Sequence, residues 1–262
     1  MSKKIFIDGG CSFTYGSELE QRQSSWAHQL HKCLGTTEYR STAKPGSSNS
    51  GIARRVFQEV ASHESDSIYS VAVMWSFYTR YDWAMPEHKD LDDKRWTSIT
   101  PWDTTMSNTE KYKGLIGSEA ERENWKRRED VMRDTGIQPF ADAIYRNASN
   151  PYHEIYLSWK SIIWLQNILE KKKIPYMFTL ADNSLFYDVF QPHKDKDKLM
   201  LALHDEIDFT KWFSFGERMM GFNQWASLNE YKYATTHPLD EAHSDAVKLM
   251  LPTFEKIIGG KI

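Results

Sequence analysis

The segment Lys4-Ile5-Phe6-Ile7-Asp8 is a short apolar run that stops at Gly9-Gly10 and hands the chain to Cys11-Ser12-Phe13-Thr14-Tyr15-Gly16. A buried strand closed by two glycines delivers Cys11, Ser12 and Phe13 to one edge of whatever sheet forms. The next segments set the sheet type. Ser25 can cap a helix from Trp26 to about Leu34, with Trp26, Leu30 and Cys33 or Leu34 on one face and Gly35 closing it. Tyr39 to Ala43 reads as a second strand, and Pro45-Gly46-Ser47-Ser48-Asn49 as a loop into a helix from about Gly51 to Ala61, where Ile52, Val56 and Val60 recur at helical spacing. Ser67 to Trp75 is a third strand, apolar enough for burial on both faces. Strands alternating with helices require a parallel sheet, because parallel neighbours need a crossover.

From about Tyr81 to Asn150 the periodicity breaks, with a charged stretch from Lys89 to Arg95, a turn at Pro101-Trp102 and an exposed helix through Glu119 to Arg133. Regular structure returns with a long amphipathic helix from about Tyr152 to Lys172, whose basic end Lys171-Lys172-Lys173 suits the helix dipole. Pro175 to Leu180 is a fourth strand ending at Ala181-Asp182-Asn183. After an irregular aromatic segment from Ser184 to Lys232, with a surface charge run from His193 to Lys198, a last helix runs from about Asp240 to Ile257 with Ala242, Ala246, Leu249 and Phe254 as its buried stripe. The predicted fold is α/β, a three-layer α/β/α sandwich around a short parallel sheet. The 262 residues form one domain, 1–262, with insertions at about 81–150 and 184–232, no linker-like stretch and no internal repeat.

A formal net charge of -3 gives no bulk pull toward a nucleic-acid backbone or an anionic membrane, so the expected partner is a small molecule. Two cysteines are too few for a disulfide framework, the first residues enter a strand without a signal-peptide apolar region, and no run reaches the length of a membrane span. A reducing, cytoplasmic setting is expected. The nine histidines are scattered, and His28 with His31 forms an i, i+3 pair without a third ligand, so no metal is expected. The Gly-rich stretch lacks the Lys-Ser/Thr of a phosphate loop, and no cofactor is expected. Ten Trp in a chain that is 14% aromatic are more than a core of this size normally uses. Trp83, Trp96, Trp102, Trp125, Trp212 and Trp225 lie outside the core strands, where they either pin the irregular segments or form platforms for sugar rings or acyl chains.

In open parallel sheets, ligands bind at the C-terminal ends of the strands. Four segments meet there: Asp8 to Gly16, Pro45 to Asn49, Trp75-Ser76-Phe77-Tyr78-Thr79-Arg80, and His237-Pro238-Leu239-Asp240-Glu241-Ala242-His243. On these residues the chain resembles the SGNH/GDSL hydrolase family, and Gly-Cys-Ser-Phe-Thr-Tyr-Gly looks like the version found in phage proteins. The resemblance covers both ends of the chain and the sheet between them. It implies Ser12 as nucleophile, Gly46 as the second-block glycine and His237 of His-Pro as general base. The two catalytic residues are thus Ser12 and His237. Chemistry agrees, since a serine hydroxyl needs a histidine to take its proton and preorganised donors to hold the resulting oxyanion. Backbone N–H groups of Ser12 and Gly46 are the natural donors, with Asn49 or Ser76 able to add a side chain. Arg80, Tyr78 and Trp75 are candidate substrate-binding residues, Arg80 for a substrate carboxylate or an internal acid. Cys11 is the alternative nucleophile, and His243 is read as packing or support for the site.

Two positions depart from the family pattern. Trp75-Ser76-Phe77-Tyr78 replaces the third-block Gly-x-Asn-Asp, and Ala234 stands where an acid normally precedes the histidine by three residues. A backbone carbonyl, Asp240, Asp182 or another carboxylate is then left to orient His237. The resemblance implies a serine-dependent esterase, and the Trp content suggests O-acetyl or similar acyl groups on a carbohydrate. The partner is then a small-molecule or carbohydrate ester, with no nucleic acid and no membrane. The alternatives are a degenerate binding or structural protein of the same fold, viral and in a host cytoplasm, or an acyltransferase using the same residues.

Overall fold

The computed structural model describes residues 4–85, 96–105, 136–187 and 197–259. Strands β1 (Ile5–Gly9), β2 (Glu38–Ser41) and β3 (Ile68–Trp75) are followed by β4 (Tyr81–Ala84), β5 (Trp96–Ile99) and β6 (Tyr176–Leu180). Four of them form one parallel sheet in the order β2-β1-β3-β6, with Ile5 opposite Glu38 and Val71 opposite Tyr176. Strands β4 and β5 pair antiparallel as a separate hairpin.

Because successive strand side chains point to opposite faces, each strand feeds two cores. Ile5, Ile7, Val71, Val73, Trp75 and Phe178 enter one. There they meet Ile52, Val56 and Val60 of helix α3 (Asn49–Ala61), together with Ile155, Trp159, Ile162 and Leu165 of the long helix Pro151–Lys171. Phe6, Ala72, Met74 and Met177 enter the other, against Trp26 and Leu30 of α2 (Trp26–Cys33) and Ala246, Met250 and Phe254 of the last helix, Asp240–Gly259. Helices therefore cover both faces of a parallel sheet, a three-layer α/β/α sandwich. Each fully buried aliphatic or aromatic side chain contributes roughly 1.5–3 kcal/mol to holding the layers together.

The last helix differs from expectation in one residue. Steps of four carry its buried stripe through Ala242, Ala246, Met250 and Phe254, and Leu249 falls beside it, 47% exposed. Trp212 and Trp225 lie outside the sheet strands as expected and pin their segments to the two cores, Trp212 where the chain pairs beside Phe178 on the outer edge of β6. The stretch 81–150, expected to be irregular apart from one helix, holds the β4–β5 hairpin and a helix over Ile137–Asn147 in its described part. Met85, Ile99, Ile137 and Ala141 form a small third core there, and an Arg54–Asp82 ion pair at 2.8 Å ties the hairpin to α3. The expected helix over Glu119 to Arg133 and the Lys89–Arg95 charge stretch lie outside the described residues, as does His193 to Lys196 of the His193–Lys198 run. The segment after β6 also contains short helices over Ser184–Tyr187, Lys198–Asp205 and Phe222–Leu228. No helix among the described residues is long and apolar enough to cross a membrane.

Candidate active site

The end of β1 is shaped by the two glycines after Asp8. A Cβ on Gly9 would sit 2.3 Å from Val56 Cγ2 of α3, and one on Gly10 would sit 2.0 Å from Thr14 Oγ1. Only glycine lets the chain turn this tightly between α3 and its own next turn. Helix α1 (Ser12–Tyr15) follows at once, with Ser12 as its first residue and Gly16 closing it in a left-handed conformation. The Ser12 N–H, at the helix start, has no intrahelical acceptor. Its hydroxyl, on a residue 8% exposed, makes no hydrogen bond among the described residues. Cys11 is fully buried in the core beneath, which removes its thiol from the crevice.

His237 arrives from the other end of the chain on a tight turn. Tyr233 bridges Pro238, and the Ala234 N–H donates to the His237 carbonyl at 2.9 Å. The imidazole packs on the ring of Phe13, the residue after Ser12, with ring centroids 4.6 Å apart. No hydrogen bond joins Ser12 to His237 among the described residues; what links the two positions is the packing of His237 on Phe13, the residue next to Ser12. In serine-dependent sites without substrate, such bonds are commonly long and tighten on binding.

The carboxylate that orients His237 is Glu18. Its Oε2 lies 2.9 Å from His237 Nδ1 and accepts from the backbone N–H groups of Thr236 and His237, each at 2.9 Å. Asp182, one alternative expected from the sequence, instead accepts from the Ser184 N–H. Glu18 reaches its position with φ of 67°, an uncommon left-handed conformation for a residue with a side chain. Burial alone would raise the Glu18 carboxyl, but the Thr236 N–H and His237 together hold it below the usual range. An ionised Glu18 fixes the proton of neutral His237 on Nδ1 and leaves Nε2 as acceptor. Burial lowers the His237 pKa, Glu18 opposes this, and the charge of Arg80 adds to the lowering; the net direction is down from 6.5.

His243 stands behind this turn. Fully buried, it accepts the Trp26 N–H on Nδ1 at 3.2 Å and is hydrogen-bonded to the backbone of Pro238. Burial pushes its pKa down to about 4, so it is neutral and supports the His237-Pro238 backbone.

The third wall comes from the loops after β2 and β3. A Lys44 N–H to Gly10 carbonyl bond of 3.2 Å draws the 45–48 turn beside the end of β1. Gly46 takes the left-handed conformation, φ 75°, that this turn requires. Asn49, expected as a possible oxyanion donor, is instead committed to the frame. Its amide nitrogen donates to the Ser76 carbonyl at 3.1 Å and to Ser158 Oγ at 3.0 Å, and its oxygen accepts the Ser76 N–H at 2.8 Å. Both amide hydrogens are used, which leaves none for an oxyanion. Ser76 Oγ accepts from Arg80 Nη1 at 2.8 Å and keeps its own proton to give. Arg80 also donates to the Ser47 carbonyl at 3.3 Å and lies over the Phe77 ring, 4.8 Å from its centroid. Phe77 in turn meets Phe13 at 6.4 Å. Ser12, Gly46, Ser76, Arg80 and His237 are thus linked through contacts of Phe13, Phe77 and Ser47, with Ser76 itself fully buried. Trp75 stands apart from them, fully buried against Phe178, where strand alternation directs it into the core. Tyr78 is 9% exposed and belongs to the same core.

Among the described residues no group of three or more His, Cys, Asp and Glu could hold a metal ion. Sequence reading missed Glu18. Its only signal was the vacancy at Ala234, which demands an acid from elsewhere, together with the acidic pair Glu18 and Glu20 in the loop just after Ser12.

No protein-family model matches the chain, and no curated protein sequence matches it. Among solved structures it is similar to a lipolytic protein of the G-D-S-L family from Veillonella parvula, with 11% identity, 97% of this chain and 99% of that one covered, and a TM-score of 0.46. The psychrotrophic esterase EstA from Pseudoalteromonas gives 10% identity, 98% and 99% coverage, and a TM-score of 0.45. A carbohydrate acetylesterase family member from Sinorhizobium meliloti gives 12% identity, 98% and 99% coverage, and a TM-score of 0.46.

Proposed function

We propose that the protein is a serine esterase of the SGNH type in which Ser12, His237 and Glu18 work as a triad. The observation that carries this reading is the Glu18–His237 bond, because it fills the role that Ala234 leaves vacant and fixes the tautomer a general base needs. In the reaction Ser12 Oγ attacks the ester carbonyl as its proton passes to His237 Nε2. The negative charge that forms on the carbonyl oxygen is held by the N–H groups of Ser12 and Gly46. Collapse expels the alcohol, which takes the proton from His237, and water then releases the acyl group by the same steps.

An acyl sugar is the substrate class we favour. What supports it is the exposed Trp102, 48% accessible, two residues along the chain from Thr100, whose Cγ2 lies 3.6 Å from where a Gly46 side chain would begin. The test is hydrolysis of p-nitrophenyl acetate and butyrate by the protein with Ser12→Ala and His237→Ala in parallel. Turnover that falls to background in both variants supports the esterase. Wild-type rates equal to the variants' would overturn it for short esters.

A further inference from the structure

Arg80 carries the one feature of the crevice that ester hydrolysis by a triad does not use. Its guanidinium is anchored through a single nitrogen: Nη1 donates to Ser76 Oγ and the Ser47 carbonyl, while the plane rests over Phe77. Both anchors are neutral. No carboxylate lies within ion-pairing distance of Arg80 among the described residues, whereas Arg54 on the neighbouring helix is paired with Asp82 at 2.8 Å. The acids on the elements packed nearby are engaged elsewhere. Glu154 Oε1 accepts from Tyr81 and Ser149 at 2.7 Å while its buried Oε2 has no hydrogen-bond partner among the described residues, and Asp103 accepts from the Thr100 N–H and hydroxyl at 2.8 and 2.9 Å. The Nε and Nη2 edge of the guanidinium, the fork that matches a carboxylate or phosphate, is left without a partner among the described residues. A half-buried cation fixed on an aromatic face, with no carboxylate in direct contact among the described residues, is poised for an anion brought by the ligand.

We propose that the ester this site accepts carries a negative charge close to the scissile bond, and that the free edge of Arg80 binds it. This rests on the esterase reading for its chemistry but on Arg80 alone for its selectivity. A carboxylate or phosphate on either half of the ester would satisfy the same fork, and the experiment separates the two halves.

The test compares phenyl acetate with 4-acetoxybenzoate, charged on the alcohol half, and phenyl butyrate with monophenyl succinate, charged on the acyl half. Rates are measured for the wild type, Arg80→Gln and Arg80→Lys. In addition, calorimetry measures binding of the four esters to Ser12→Ala protein with Arg80 intact or changed to Gln. In one pair the charged ester is expected to be favoured over its neutral counterpart by about ten-fold or more relative to Arg80→Gln, with Arg80→Lys in between. Raising NaCl from about 50 to about 500 mM should erode that preference in the unmodified protein, which keeps the test open even if Arg80→Gln folds poorly. If charged and neutral esters lose rate and affinity equally in Arg80→Gln, Arg80 only pins Ser47 and Ser76 and the proposal is overturned. Absence of turnover on every ester, with selective binding of a charged one retained, would instead strike the esterase reading and leave the anion site standing.

Discussion

Glu18 Oε2 and His237 Nδ1 lie 2.9 Å apart across 219 residues of chain, and the same oxygen accepts the backbone N–H groups of Thr236 and His237. One carboxylate therefore holds both the ring and the turn that presents it. Glu18→Gln keeps the size of the side chain and removes its charge, so the His237 tautomer is no longer fixed. We expect kcat to fall by about 10²- to 10⁴-fold with little change in KM, in line with loss of an orienting acid in other triads. Restoring an acid in the usual place, Ala234→Asp in the Glu18→Gln background, tests whether the two positions are interchangeable. Steady-state rates on p-nitrophenyl acetate decide it, and an unchanged kcat in Glu18→Gln would remove Glu18 from the mechanism.

The pH profile derives from the same contacts. His237 must be neutral to accept a proton, and its pKa in the fold lies below 6.5. The kcat/KM of the wild type should therefore rise with pH through a midpoint below 6.5 and be flat above it. Glu18 raises the His237 pKa and Arg80 lowers it, so the two neutralising variants should move the acidic limb in opposite directions. Glu18→Gln shifts the midpoint further down, and Arg80→Gln shifts it up. Midpoints that move together would show that another group sets the limb.

Much of this site was legible in the sequence because its backbone requirements are local. Gly9-Gly10 after an apolar run announces a tight strand end, and the steric clash that any other residue would meet at Gly10 is a consequence of that turn. Alternation of strands and helices gave the parallel sheet, and hence the edge at which the chain leaves β1 into Ser12. The expectations that failed depended on facing. Trp75 ends a strand at the crevice, but the two-residue period turns its side chain into the core. Asn49 has the right chemistry for an oxyanion donor, yet its amide is consumed by Ser76 and Ser158, the latter 109 residues away. Glu18 was illegible for the same reason, since its role exists only once the two ends of the chain are brought together.

Asp8 makes a separate prediction about stability. It is fully buried on β1, accepting from Tyr39, from Ser41 Oγ at 2.8 Å and from the Thr42 N–H at 3.2 Å. Burial outweighs these bonds and pushes its pKa from 3.8 up to about 6. Between those values the folded state keeps a proton that the unfolded chain has released. The stability this group contributes is complete below about pH 4, falls as pH rises, and is gone above about pH 6, a difference of order 3 kcal/mol. Asp8→Asn cannot ionise. Urea unfolding at about pH 4 and about pH 7.5 should show the variant gaining on the wild type at the higher pH, and parallel pH dependences would refute the assignment.

Asn49 offers the sharpest separation of a framing role from a catalytic one. Its three hydrogen bonds close the end of β3 onto α3 and the long helix, and every partner is buried. Asn49→Ala strands the Ser76 N–H and carbonyl away from water, which should cost about 2–4 kcal/mol of stability, since each unpaired buried polar group costs about 1–3 kcal/mol. Asn49→Asp can still accept the Ser76 N–H but faces the Ser76 carbonyl with negative charge, so it should rescue little. Both variants displace Ser76 and, through it, Arg80, and activity should fall in step with the melting temperature. An oxyanion donor would behave otherwise: kcat would drop by about 10²-fold or more while stability stayed near that of the wild type. Thermal unfolding and ester hydrolysis measured on the same preparations therefore assign Asn49 to one role or the other.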